Sequence, residues 1–168
     1  VFAGGVCCTC NPEPLADFVD LFMLGDGEEV ILELCRLYQQ AKAQGWSKQA
    51  FLVKACHIPG VYVPSLYDVS YQEDGTIQAV IPLHSAPATV TKRIIKDMDN
   101  VYYPDKFVVP YIETVHDRAI LEVMRGCIRG CRFCQAGFLY RPLREKSPHT
   151  LCRQGKALCE SSGYEEIS

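Results

Sequence analysis

No apolar stretch in this chain of 168 residues approaches the roughly 20 that a membrane-spanning helix needs. Its first residues do not read as a basic-then-apolar leader, so the cytoplasm is the expected compartment. Charge of one sign is also scarce overall: 17 basic and 20 acidic side chains leave a net charge of only -3, which excludes a polyelectrolyte. Histidine occurs four times, at His57, His84, His116 and His149, too scattered to suggest a histidine-built site. With 48% apolar residues there is no disorder signature, and the length suits about one ordinary globular domain.

Cysteine, by contrast, is plentiful at ten residues. Secreted disulfide scaffolds share that abundance but are short and poor in core, whereas this chain has long helix-like and strand-like apolar runs. Reduced thiols and a metal centre fit better. Cys127, Cys131 and Cys134 in RGCIRGCRFCQ have the spacing C-x3-C-x2-C. Three thiolates from one short loop hold three corners of an iron-sulfur cube and leave the fourth iron open, and an open coordination position signals chemistry rather than scaffolding.

The net charge hides an uneven distribution. Residues 1 to 45 carry seven acids, Glu13, Asp17, Asp20, Asp26, Glu28, Glu29 and Glu33, against Arg36 and Lys42. Around the cysteine loop, Arg125, Arg129, Arg132, Arg141, Arg144, Lys146, Arg153 and Lys156 face only Glu145. Such a field favours thiolate over thiol and offsets the negative charge of a thiolate-ligated cluster. A solvated basic face and a nucleic-acid footprint are the other readings.

The opening Val-Phe-Ala-Gly-Gly reads as the end of a buried strand entering a glycine turn. Asn11-Pro12 is an expected helix start, with Leu15, Phe18 and Val19 at helical spacing, followed by a short apolar run, Leu21 to Leu24, that ends at Gly25-Asp26-Gly27. Glu28 to Gln44 has apolar residues at 30, 31, 34, 37, 38 and 41, an amphipathic helix stopped by Gly45. Ser47 caps a second helix to about Cys56. Val61 to Tyr71 and Thr76 to Pro82 flank Glu73-Asp74-Gly75 as a hairpin. Residues 82 to 118, with Pro82, Pro87, Pro104 and Pro110, read as a connector, and Tyr102, Tyr103 and Tyr111 within it as interdomain packing. Ala119 to Met124 is an expected buried strand leading into the cysteine loop. Pro148 to Gly163 is an expected helix with Leu151, Ala157 and Leu158 inward, and Tyr164 to Ser168 starts another strand. This alternation is α/β grammar.

The residues that carry the cysteine loop, together with VTKRIIKD, NVYYPDK, PYIETVHDRAILEVMRGCIRGCRFCQAGFLYRPLRE and SSGYEEIS, resemble an uncharacterised family of the radical S-adenosylmethionine superfamily with an N-terminal B12-binding-like domain. The Gly-Gly start, NPEPLADF and MLGDGEEV resemble the C-terminal half of that Rossmann-like, cobalamin-binding-type domain. The resemblance implies three parts: residues 1-45 as the end of the B12-type module, 46-118 as a β-rich connector with a hairpin, and 119-168 as the start of a partial β/α barrel, truncated at both ends. It implies a 4Fe-4S cluster on Cys127, Cys131 and Cys134, and S-adenosylmethionine on the open iron with Phe133 near the adenine. It places Gly4 and Gly5 beside the nucleotide tail of a cobalamin, if one binds. Reductive cleavage to a 5'-deoxyadenosyl radical, hydrogen abstraction from an unidentified substrate, and an electron donor such as flavodoxin or ferredoxin follow from it.

Two other metal readings stay beside this one. Zinc would need His149 or Cys152 as a fourth ligand, without the paired C-x2-C spacing of common zinc modules. An electron-transfer cluster would need a fourth cysteine where neither Cys152 nor Cys159 lies. Cys35, Cys56, Cys152 and Cys159 are expected to be small core residues, and Cys7, Cys8 and Cys10 a buried turn or, as C-C-x-C, a second metal site. Gly126, Gly130 and Gly137 are expected to let the loop bend around a cluster.

Overall fold

The computed structural model describes residues 1–112 and 114–168. The chain divides into two compact units, Val1–Ile95 and Lys96–Ser168. In the first, β1 (Phe2–Gly4) leads through α1 (Val6–Cys10) to β2 (Leu21–Met23), which pairs with β1 in parallel, Phe2 opposite Leu21 and Gly4 opposite Met23. α2 (Gly27–Ala43) and α3 (Lys48–Ala55) follow, and β3 (Val61–Tyr62) returns antiparallel to β2, giving the sheet order β1-β2-β3. Val30, Leu34 and Ala41 form the buried stripe of α2. Val30 and Leu34 share a core with Leu21, Leu52, Ala55, Val61, Val63 and Leu66. The helical period read from the sequence is therefore the one that packs.

α3 is capped as its sequence predicts: the Ser47 hydroxyl oxygen accepts the N–H of Ala50 (3.2 Å). The segment after Asn11 departs from expectation. It forms only a 3-10 turn, Glu13–Leu15, and Leu15 and Phe18 are exposed. A helix this short is stabilised by packing its apolar face, and here no core receives it. Its anchor is polar: the Tyr62 hydroxyl donates to Glu13 (2.5 Å), and burial, followed by that carboxylate, pushes the phenol well above its ordinary range. The expected strand from Val61 to Tyr71 is split at Pro64, which opens a 3-10 turn over Pro64–Leu66 and leaves Val61–Tyr62 to β2. The hairpin itself forms from β4 (Tyr67–Tyr71) and β5 (Ile77–Pro82), with the Asp74 carboxylate accepting from both the Thr76 N–H and hydroxyl. β1, expected to be buried, is exposed at Phe2 and Gly4.

A strap closes this unit. Arg93 forms a parallel bridge with Gly25, its N–H donating to Leu24 O (2.8 Å) and its carbonyl accepting from Asp26 N–H (2.9 Å). A Cβ on Gly25, whose φ is +91°, would lie 2.1 Å from the Arg93 carbonyl oxygen, so only glycine fits. The Arg93 guanidinium reaches Glu29 (2.8 Å) and Glu33 (2.6 Å) on α2, and Asp26 accepts the buried Ile95 N–H (2.8 Å).

In the second unit, β6 (Met124–Arg125) pairs antiparallel with β7 (Arg144–Glu145), and α4 (Ala136–Leu139) lies between them in sequence. α5 (Pro148–Ser162) is capped by Ser147 and, as its sequence predicts, ended by Gly163, here in the left-handed conformation. The expected strand from Ala119 to Met124 is not one continuous element. Ala119 and Leu121 donate to the carbonyls of Glu166 and Ser168 (2.9 Å each) in a parallel arrangement, and regular pairing resumes only at β6. α5 packs on that ladder through Gly155, where a Cβ would sit 3.4 Å from Ile167 and 3.7 Å from Leu121.

Cysteine burial corrects several expectations. Cys56 is buried and Cys159 half-buried, but Cys35 and Cys152 are exposed. The buried line of α2 runs through Val30, Leu34 and Ala41, and that of α5 through Thr150, Gln154 and Leu158, so Cys35 and Cys152 fall off the packed faces. Cys7, Cys8 and Cys10 form a helix rather than a buried turn, with only Cys8 buried.

Candidate metal centre

Cys127, Cys131 and Cys134 occupy the loop between β6 and α4. Cys131 is exposed, and Cys127 and Cys134 are half-buried. A tight turn brings Cys134 N–H onto Cys131 O (3.1 Å), and Cys127 Sγ accepts the N–H of Arg129 (3.3 Å). An amide donating to a cysteine sulfur is the kind of contact that tunes thiolate-held clusters. Among the described residues, no three His, Cys, Asp or Glu side chains are gathered as metal ligands. The donor set itself, three soft thiols in a loop open to solvent, fits iron-sulfur ligation.

The stem of the loop is fixed by contacts that its sequence does not announce. Gly126 has φ +89°, and a Cβ there would meet the backbone oxygens of Pro142 (2.5 Å) and Tyr140 (2.6 Å). The loop therefore begins pressed against residues 140 to 142. Gly130, expected to share that role, has open space at its Cβ position. Gly137 is buried, and a Cβ there would lie 3.4 Å from Arg129 O. Arg144 is buried and donates to the same two oxygens, Pro142 O (3.0 Å) and Tyr140 O (3.1 Å).

The basic cluster read from the sequence thus separates into structural and loop cations. The Lys146 ammonium is fully buried, 3.0 Å from Gln154 Oε1, 4.0 Å from Glu122 and 4.1 Å from the centre of the Tyr103 ring. Arg125 makes two bonds to Glu122 (2.7 and 3.0 Å). Arg141 lies over Phe138 at 4.6 Å, and Lys156 pairs with Glu160 at 3.7 Å. Arg129 and Arg132 stand exposed within the loop and supply its local positive field. Arg125, Arg144 and Lys146 are thus taken up by contacts within the unit, while Arg129, Arg132, Arg141, Arg153 and Lys156 are exposed.

Phe133 is 91% exposed, and Ile128, five positions before it, is exposed as well. Of the connector tyrosines, Tyr102 and Tyr111 are exposed, whereas Tyr103 lies against Lys146 and donates its hydroxyl to Ile120 O (2.9 Å). Burial, more than the nearby Glu122, raises the Tyr103 phenol above its ordinary value. Gly4 and Gly5 belong to the other unit, where Gly5, at φ +91°, turns the chain from β1 into α1. No described helix is long and apolar enough to cross a membrane.

The chain is 27% identical over 144 residues to an uncharacterized protein of Methanocaldococcus jannaschii, an alignment covering 84% of this chain and 24% of that protein. It therefore spans about a quarter of the length of the curated relative it matches. No solved structure matches it. Residues 1–64 match the family described as radical SAM proteins, N-terminal, and this match supports a place in the radical SAM superfamily.

Proposed function

We propose that the chain is part of a radical S-adenosylmethionine enzyme in which Cys127, Cys131 and Cys134 hold a 4Fe-4S cluster. The observation that carries this reading is the three-thiol loop itself, solvent-open and with one sulfur already accepting an amide, in a chain whose first 64 residues match the N-terminal region of radical SAM proteins. When bound, the cluster with S-adenosylmethionine supplies reductive cleavage to a 5'-deoxyadenosyl radical for hydrogen abstraction. The chain's own part is to bind and orient. The three cysteines take iron, the Arg129 N–H donates to Cys127 Sγ, and Arg129 and Arg132 offset the negative charge of a thiolate-held cluster. Phe133 offers an unburied ring for the adenine face. Gly126, Arg144 and the Lys146 network fix where the loop starts.

In this reading residues 1-45 are the end of a B12-type module, 46-118 a connector, and 119-168 the start of a barrel. Gly4 and Gly5 lie beside a cobalamin tail if one is carried. A flavodoxin- or ferredoxin-type donor supplies the electron, and the enzyme works in the cytoplasm. The test is anaerobic reconstitution with iron and sulfide, then electron paramagnetic resonance of the reduced protein with and without S-adenosylmethionine. A 4Fe-4S signal that shifts with S-adenosylmethionine and is lost in Cys131→Ala is expected. Stoichiometric zinc without any cluster signal would replace this function with that of a metal-binding module.

A further inference from the structure

Cys7 and Cys10 form a C-x-x-C pair on α1, immediately after the Gly5 turn and between two strands that pair in parallel. Both side chains are exposed, while Cys8 between them is buried at 5%. A C-x-x-C sequence at a strand-to-helix junction of a βαβ-like unit is the setting in which dithiols cycle with disulfides. Helical rise and twist put Cα atoms three residues apart at about 5 Å, inside the roughly 4.4–6.8 Å that a disulfide spans. The Asn11 N–H donates to Cys7 O (3.1 Å), so the helical turn is closed around the pair. The Thr9 hydroxyl oxygen accepts Gly25 N–H (3.0 Å), tying α1 to the end of β2. The pair thus rides on a fixed element, at the carboxyl ends of β1 and β2.

We propose that Cys7 and Cys10 are a redox-active dithiol whose reaction partners are small or protein disulfides. One thiolate of the pair attacks a sulfur of the partner disulfide, forming a mixed disulfide and releasing the first partner thiol. The second thiolate displaces the remaining partner thiol and closes the Cys7–Cys10 bond. Two cysteine thiols are oxidised, one disulfide is reduced to two thiols, and both protons leave with the partner. Cys8, packed inward, takes no part. Two thiols three residues apart do not complete a metal site, and no third ligand is gathered with them among the described residues.

The test equilibrates the purified 168-residue chain, without air, against graded ratios of reduced to oxidised glutathione, followed by acid quench, alkylation and mass spectrometry of the Val1–Ala16 peptide. Cys7 and Cys10 should lose their alkyl groups together, with the loss of two hydrogens. That transition should come at an oxidised-glutathione ratio at least about tenfold below the one that modifies the exposed single thiols Cys35 and Cys152, because the second thiol is held at high effective concentration. Cys8→Ala should leave it in place. Cys10→Ser should abolish it and leave Cys7 as a glutathione adduct. Glutathione adducts on Cys7 and Cys10 with no internal disulfide would overturn the proposal, as would equal participation of Cys8 or persistence of the transition in Cys10→Ser.

Discussion

Gly126→Ala separates a glycine required by packing from one that punctuates a loop. The added methyl would sit 2.5 Å from Pro142 O and 2.6 Å from Tyr140 O, both main-chain atoms that cannot rotate away, at a φ of +89°. The backbone conformation alone costs an L-residue about 1–2 kcal/mol, and forcing a group into filled space costs about 1–3 kcal/mol. About 3 kcal/mol is therefore expected, or roughly 100-fold at 1.4 kcal/mol per decade. The assay is native-state hydrogen exchange at the Lys146 amide, which donates to Val123 O (3.0 Å) next to the β6–β7 pair. Protection there should fall by about that factor, while amides of α2 in the other unit stay unchanged. Gly130→Ala is the matched control, because its Cβ would meet nothing within 4 Å. Equal effects of the two substitutions, or none from Gly126→Ala, would refute the claim that residues 140 to 142 fix the start of the loop.

Lys146→Met keeps the stem but removes the buried ammonium, stranding Gln154 Oε1 and loosening Glu122. Since Glu122 retains Arg125, a loss of about 2 kcal/mol is expected, read as the shift in the urea midpoint of the second unit's unfolding. Ser47→Ala should cost about 1 kcal/mol, seen as faster exchange of the first-turn amides of α3. The Asp99 carboxyl is held below its usual range, first by the Ser147 N–H that it accepts at 2.7 Å. Because the folded form is the more acidic, this contribution is present above the unfolded carboxylate value of about 3.9 and is lost as pH falls below it. Asp99→Asn should flatten that acid limb in thermal melts recorded from pH 6 to pH 2.

Elements signalled by neighbours in sequence were legible: the Ser47 cap, the Gly163 stop, the hairpin at Asp74-Gly75 and the core stripe of α2. Each is decided within a few residues. Leu15 and Phe18 show the limit, since their spacing is helical but nothing covers them and the helix does not form. Cys35 and Cys152 are expected inside because cysteine is so often buried, whereas Cys35 lies outside the apolar period of α2 and Cys152 off the buried line of α5, and both are exposed. The loop cysteines announced a chemistry through their spacing. Their support did not: Arg144 and Lys146 read in sequence as two more surface cations, and only the fold of the 140–144 turn and of α5 turns the Pro142 and Tyr140 carbonyls and the Gln154 amide onto them. Gly25 reads as a turn glycine, and its need for glycine comes from Arg93, 68 positions away.

That distance sets the order in which the first unit is completed. Its strap joins Asp26 to Ile95 and Glu29 to Arg93, sequence separations of 69 and 64 residues. On a ribosome the helices and hairpin leave the exit tunnel well before residues 92 to 95. Until those arrive, the Leu24 carbonyl and Asp26 amide at the end of β2 lack the Arg93 backbone groups that they pair with in the folded unit. Closing a loop this long slows folding more than it weakens the folded state. The nascent unit therefore passes through an open interval that ends only when its last few residues emerge, and a chain halted at residue 90 would remain in it.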